Sequence, residues 1–270
     1  KDAKVGKIKH CQICGSLNLK KIISLGFSGL CDSLLTEEDL NNFEKSFPLN
    51  LYRCIKCQLL QLDHIVDNKE VFHLNYPYKS GITSPLKKHL HSTSSYVKKK
   101  FDFPKNSLAL DIGSNDGTLL EGFKNQNFKV LGIEPTNIAK LANRRGIRTI
   151  QRFFDLDAAK IVKRKFKKVE VITGTNIFAH VNKLDSFMKG IKLLLNRKEG
   201  IFVTESHYAV NIIKELQFDS IYHEHLRFFL LKPLITLMKM YGFKIIDAVR
   251  IPNYGGSIRV TATLNSKKAV

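Results

Sequence analysis

Four of the five cysteines of this chain fall into two C-x-x-C pairs, Cys11–Cys14 in CQICGS and Cys54–Cys57 in YRCIKCQLL, with 39 residues between them. Each pair presents two sulfurs from one tight turn, and two such turns complete the closed tetrahedral sphere of a structural zinc ion. Gly15, directly after the first pair, suits the turn. Two disulfides are disfavoured in a reducing compartment. A thioredoxin-like redox site uses a single C-x-x-C beside a βαβ unit rather than two pairs. Four thiolates leave no open ligand position, so the expected role is to fold a small lobe rather than to catalyse. Cys31, in GFSGLCDSLL, stands outside the pairs and is expected to be a small buried hydrophobe.

Residues 1–75 therefore read as a zinc-binding lobe. Residues 76–106 read as a bridging segment, with a helical period from Leu86 to Lys99 that puts Leu86, Leu90 and Val97 on one side. From Ser107 the pattern changes. Apolar runs SLALDI, KVLGI, RTI, VEVIT and GIFVTE alternate with amphipathic stretches at 118–125, 137–145, 156–165 and 183–195. This is the βαβα pattern of a doubly wound, Rossmann-like α/β sheet over residues 107–270. A further helix, LKPLITLMKMYG, leads into FKIIDAVRI and SIRVTATL, which are predicted to close the sheet as an antiparallel pair.

Lysine and arginine number 44 against 24 aspartates and glutamates, a net charge of +20. Such an excess favours phosphates, nucleotides or nucleic acid as partners. Segments such as KIVKRKFKKVE equally suit solvated helix faces, and no groove-reading module is legible, so nucleic acid ranks as the second partner class. No apolar run approaches the ~20 residues of a membrane span. The opening KDAKVGKIKH lacks the apolar core of a signal peptide, so the expected location is cytoplasmic.

Asp111 ends the first strand of the sheet, and Gly113-Ser114-Asn115-Asp116-Gly117 leads into the first helix. Ligands of doubly wound sheets sit beyond the carboxyl ends of the strands, where glycines let backbone approach the ligand. Single glycines with an intervening acid differ from the G-x-G-x-x-G pyrophosphate cradle and resemble the methyltransferase loop that holds the methionine part of S-adenosylmethionine. Glu134, closing the second strand, is placed to accept both ribose hydroxyls. Asn176 and Phe178, after the fourth strand, are expected to face the same crevice.

Beyond the fifth strand the chain runs through SHYAVNIIKELQFDSIYHEHLRFF instead of entering a helix directly. HEH lacks the i, i+4 histidine spacing of a helical zinc protease. Its other use is proton transfer by a histidine that a carboxylate orients and a tyrosine hydroxyl assists. His180, in NIFAHV, adds an imidazole on the same rim. A loop with two incidental histidines is the alternative.

CQICGS…YRCIKC, YPYKSG, LDIGSNDGTLL, GIEP, NIFAHV, YHEHLRFF and YGGSIRV stand in the order found in the zinc-containing sugar C-methyltransferases, which the chain resembles over nearly all of residues 11–262. Those enzymes methylate a carbon beside the ketone of nucleotide-linked 4-keto-deoxysugars. The resemblance implies His225 as general base, with Tyr222 and Glu224 supporting it, and Tyr76 and His180 as polar groups of the substrate pocket. It also implies S-adenosylmethionine and structural zinc as cofactors, and a nucleotide-sugar, thymidine-diphosphate-linked or similar, as substrate. Lys79, Arg227 and Arg259 are candidates to meet the diphosphate. Thr175 stands where a larger or basic residue is expected, and Phe229-Leu230 replaces a more polar end of the YHEHL block. The family continues into a carboxyl-terminal domain that helps bind the nucleotide-sugar. A zinc-ribbon RNA methyltransferase is the runner-up, although neither Pro-Pro-Tyr nor a cysteine follows the fourth strand. A non-catalytic remnant that binds S-adenosylmethionine is the third reading.

Overall fold

The computed structural model describes residues 2, 4–74 and 76–265; Lys1, Ala3, Asn75 and residues 266–270, at the margins of the expected segments, lie outside the described residues. A seven-stranded sheet runs in the order Lys244–Ile251, Ser257–Thr263, Ile201–His207, Val171–Thr175, Leu108–Ile112, Lys129–Ile133 and Thr149–Ile150. All five β-runs expected in the alternating region pair in parallel. The last two form the antiparallel closure, with Ser257–Thr263 inserted between its partners. Strands buried on both faces need continuous apolar runs, and Leu108–Ile112 is buried at every position.

Helices cover both faces. Leu90 and Val97 of Ser84–Lys100 pack with Leu119 and Phe123 of Thr118–Asn125 on one side. Ala159, Val162, Phe187, Ile191, Leu234 and Leu237 of three further helices pack on the other. The segment read as a bridge thus supplies one of the layers of the sheet domain.

A second, four-stranded sheet carries the cysteine pairs, in the order Arg227–Phe228, Leu60–Leu62, Phe47–Cys54 and Leu19–Ser28. Its first strand comes from the YHEHLRFF block, with Arg227 opposite Gln61 and Phe228 opposite Leu60. Among the described residues no helix is long and apolar enough to cross a membrane.

Candidate functional site

The two cysteine turns face one another. Their four Sγ atoms lie within 4.8 Å of each other, with Cys11 and Cys57 3.5 Å apart and Cys14 and Cys54 3.6 Å apart. A tetrahedral tetrathiolate with Zn–S near ~2.3 Å holds its sulfurs about 3.8 Å apart, so the four clustered residues suit zinc. The turns are built alike: the amide of Gly15 donates to the Cys11 carbonyl, that of Gln58 to the Cys54 carbonyl, and both residues adopt positive φ. Gln58, having a Cβ, is held there by its own side chain, whose Nε2 donates to the Ile55 carbonyl at 2.6 Å. Cys31 does not behave as a core residue. It is solvent-exposed, on the loop whose next residue, Asp32, lines the main cavity.

That cavity, about 820 Å³, opens where the strand order reverses, between the carboxyl ends of Leu108–Ile112 and Val171–Thr175. Asp111, Gly113, Asn115, Glu134 and Asn176 line one part of it; Tyr76, His180, Tyr222, Glu224 and His225 line another. Gly113 has φ +70°, a backbone conformation that favours glycine, and a Cβ there would press on the Ile177 side chain. Asp111 accepts from Thr173 Oγ1 at 2.6 Å, and complete burial pushes its carboxyl up to about 7. Glu134 accepts from the Asn115 amide at 3.1 Å and from the Thr136 amide and hydroxyl at 2.9 and 2.7 Å. It joins the glycine loop to the second strand while facing the cavity.

Asp116 and Gly117 are not in the wall. Asp116 accepts from Thr118 Oγ1 at 2.7 Å, starting the helix, and from the Gly81 amide at 3.0 Å. With Asn115, whose Oδ1 takes the Ser80 amide at 2.8 Å, it fastens YPYKSG to the glycine loop. Phe178 also departs from expectation. It is fully buried in the core, stacked on Phe229 at 5.4 Å between ring centroids, and its neighbour Ile177 faces the cavity instead. The apolar Phe229 of the altered YHEHL block is therefore the packing partner of Phe178.

None of the three cations proposed for a diphosphate lines the cavity. Lys79 is exposed. Arg259 is buried against Glu205, 2.6 Å from Oε1, with Thr93 Oγ1 at 2.7 Å, and His89 approaches the other Glu205 oxygen at 2.7 Å. Arg227 is 1% exposed in the interior.

The wall that carries His180 and His225 has defined tautomers. Nδ1 of His225 lies 2.9 Å from the Ser220 carbonyl, which accepts only from N–H, so Nε2 carries the lone pair; Tyr222 Oη lies 3.2 Å from it. Nδ1 of His180 likewise donates to the Glu224 carbonyl at 2.9 Å. Burial pushes His180 down to about 4 and His225 well below the usual imidazole range, so both are neutral at pH 7. The rings of His180 and His207 stand 4.9 and 5.0 Å from that of His225. Tyr76 donates to Glu224 at 2.9 Å, and burial together with Asp32 raises Glu224 to about 8. His223 faces the other way, bonding the Phe47 and Pro48 carbonyls at 3.2 and 3.3 Å.

Sequence reasoning missed Asp32, His207 and Tyr254 in this wall. His207 was findable, since it ends the fifth parallel strand on the ligand side of the sheet. Tyr254 meets the Tyr78 hydroxyl at 2.7 Å across the mouth, a contact between distant segments that spacing cannot show.

Residues 11–72 match the family described as "Putative zinc binding domain", and residues 88–248 match the one described as "Methyltransferase domain". The chain belongs to the methyltransferase-domain family. It is 30% identical over 259 residues to the C-methyltransferase NovU of Streptomyces niveus, covering 96% of this chain and 61% of that protein. Among solved structures it resembles an S-adenosylmethionine-dependent methyltransferase of Clostridium acetobutylicum, with TM-score 0.52 and 14% identity, over 68% of this chain and 94% of that one. Magnesium protoporphyrin IX methyltransferase of Synechocystis, solved with bound SAH, gives TM-score 0.51 and 10% identity over 68% and 89%. These structures share the fold. By family and architecture the chain joins a putative zinc-binding domain to a methyltransferase domain, and it spans about 61% of the length of that C-methyltransferase.

Proposed function

We propose that the methyltransferase acts on carbon, beside the ketone of a nucleotide-diphosphate-linked keto-deoxysugar, with His225 as the base. The observation that carries this reading is the neutral His225 whose unprotonated Nε2 lies in the wall of the cofactor cavity beside the Tyr222 hydroxyl. The relative NovU, a C-methyltransferase, supports the choice of carbon. S-adenosylmethionine supplies the electrophilic methyl group when bound, and Gly113, Asn115, Glu134 and Asn176 are the residues placed to hold it.

The chain's own groups perform the rest. A carbon-bound proton next to a ketone passes to His225 Nε2, the C–H electron pair becomes the carbon–carbon π bond of an enolate, and the carbonyl π pair moves onto the ketone oxygen. Protonated Glu224, oriented by the Tyr76 hydroxyl, and the Tyr222 hydroxyl, released once Nε2 carries a proton, are the donors to that oxygen. The imidazolium formed keeps its orientation because Nδ1–H remains bonded to the Ser220 carbonyl.

The test is hydrogen exchange in deuterated water, with S-adenosylhomocysteine and a thymidine-diphosphate-linked 4-keto-6-deoxysugar. Deuterium entering beside the ketone, and lost with His225→Ala, is the expected result. Absence of exchange together with methylation of a short RNA would establish the zinc-ribbon RNA enzyme instead. Cofactor binding with neither outcome would identify a binding remnant.

A further inference from the structure

Between Cys11 and Cys14 in the sequence stands a residue whose side chain neither the metal site nor the cavity uses. Gln12 is 4% exposed. Its Nε2 donates to the Leu226 carbonyl at 3.2 Å and to the Leu62 carbonyl at 3.3 Å, while its backbone amide donates to Gln61 Oε1 at 2.8 Å. Gln61 returns the contact, its Nε2 donating to the His10 carbonyl at 3.1 Å.

Leu226 directly follows His225, and both of its peptide groups are held. Its amide donates to the Ala179 carbonyl at 3.1 Å, beside His180, and its carbonyl also accepts the Leu62 amide at 3.1 Å. Arg227 and Phe228 then pair with Gln61 and Leu60. The Arg227 guanidinium has no hydrogen-bond partner among the described residues. The backbone that carries the base is thus bonded to the residue between two zinc ligands.

We propose that Gln12 is a positioning residue through which the zinc turn sets the place of His225. Metal binding fixes the Cys11–Cys14 turn, the turn fixes the Gln12 amide, and the amide fixes the Leu226 carbonyl. The proposal rests on the reading of His225 as the base. It gives the zinc centre a part in catalysis although no ligand position is open for substrate.

The decisive variant is Gln12→Met, which keeps side-chain length and removes both donors. Metal analysis, calorimetry with S-adenosylmethionine, amide exchange of residues 222–228 and the saturating rate of substrate proton exchange are measured together. Zinc and cofactor binding should be retained, whereas amide protection and saturating rate should each fall about tenfold, the scale of one or two lost buried hydrogen bonds. Unchanged protection and rate with zinc retained overturn the proposal. If Gln12→Met loses zinc, the unmodified chain decides: chelation must deprotect residues 222–228 before strand Leu108–Ile112, and simultaneous or absent deprotection overturns the proposal. His225→Ala separates the two readings. If its exchange rate is unchanged, His225 is not the base, while deprotection in Gln12→Met still reports the coupling.

Discussion

Tyr222 and His225 lie three residues apart and turn toward one another, hydroxyl to Nε2 at 3.2 Å, while the opposite ring nitrogen is taken by a carbonyl. The pair therefore has a fixed tautomer, with the Nε2 lone pair toward the hydroxyl. His225→Ala should lower substrate proton exchange by roughly 10²–10⁴-fold while S-adenosylmethionine affinity stays constant. Tyr222→Phe, keeping the imidazole, should give an intermediate loss. Exchange at the unmodified rate in the alanine variant would transfer the role of base to His180 or Tyr222.

The pH profile follows from two opposite shifts. His225 is pushed down, so it stays unprotonated and able to accept a proton throughout the range from pH 6.5 to 8. Glu224, raised to about 8, is a neutral donor below that pH and loses its proton above it. Activity should be level through neutrality and fall as pH rises through about 8. Glu224→Gln, which keeps a donor at every pH, should remove the alkaline limb; an unaltered limb would assign it to another group.

Purified protein should hold about one zinc per chain, bound by four thiolates. Cys54→Ser should lose the metal and loosen the amino-terminal sheet, and the exposed Cys31→Ser should leave metal content unchanged. Metal analysis beside circular dichroism checks both, and an intact lobe without metal would contradict the assignment.

Phe178→Ala should destabilise the fold by about 3–5 kcal/mol, as expected for a large aromatic removed from a packed core. Cofactor affinity should be unchanged at temperatures where the variant remains folded, because Phe178 packs on Phe229, Phe202 and Phe187 rather than lining the cavity. Denaturant melts and calorimetry separate these effects.

Glu134→Ala should weaken S-adenosylmethionine binding by roughly 1.5–3 kcal/mol if the carboxylate accepts from the ribose. The same change releases the Asn115 amide and both Thr136 donors, so faster amide exchange at Asn115 should accompany it. An unchanged calorimetric affinity would exclude Glu134 from the cofactor contact.

The sheet was legible because each strand is a short apolar run bounded by polar or glycine punctuation, and burial on both faces demands that pattern. The zinc ligands were legible because two cysteines in one turn have few other uses. What sequence could not supply was direction. Asn176 and Phe178 are two residues apart, yet one faces the cavity while the other enters the core. Asp116 looks like a ligand group until Gly81 of YPYKSG is found bonded to it across the fold, outside the cavity wall. His223 and His225 are equivalent as letters, but the fold turns one to the Phe47 and Pro48 carbonyls and the other to the cavity.

The short strand Arg227–Phe228, which completes the amino-terminal sheet, makes the order of synthesis matter. Leu60 and Leu62, both buried in the finished protein, leave the ribosome long before their edge partner is translated. Until residue 228 emerges, the zinc lobe presents an open, apolar strand edge of the kind that recruits other chains. A truncation after Ile65 would retain all four cysteines of the two turns and still carry that sticky edge. The lobe should therefore be produced with the methyltransferase half attached, since the carboxyl-terminal sequence supplies its missing border.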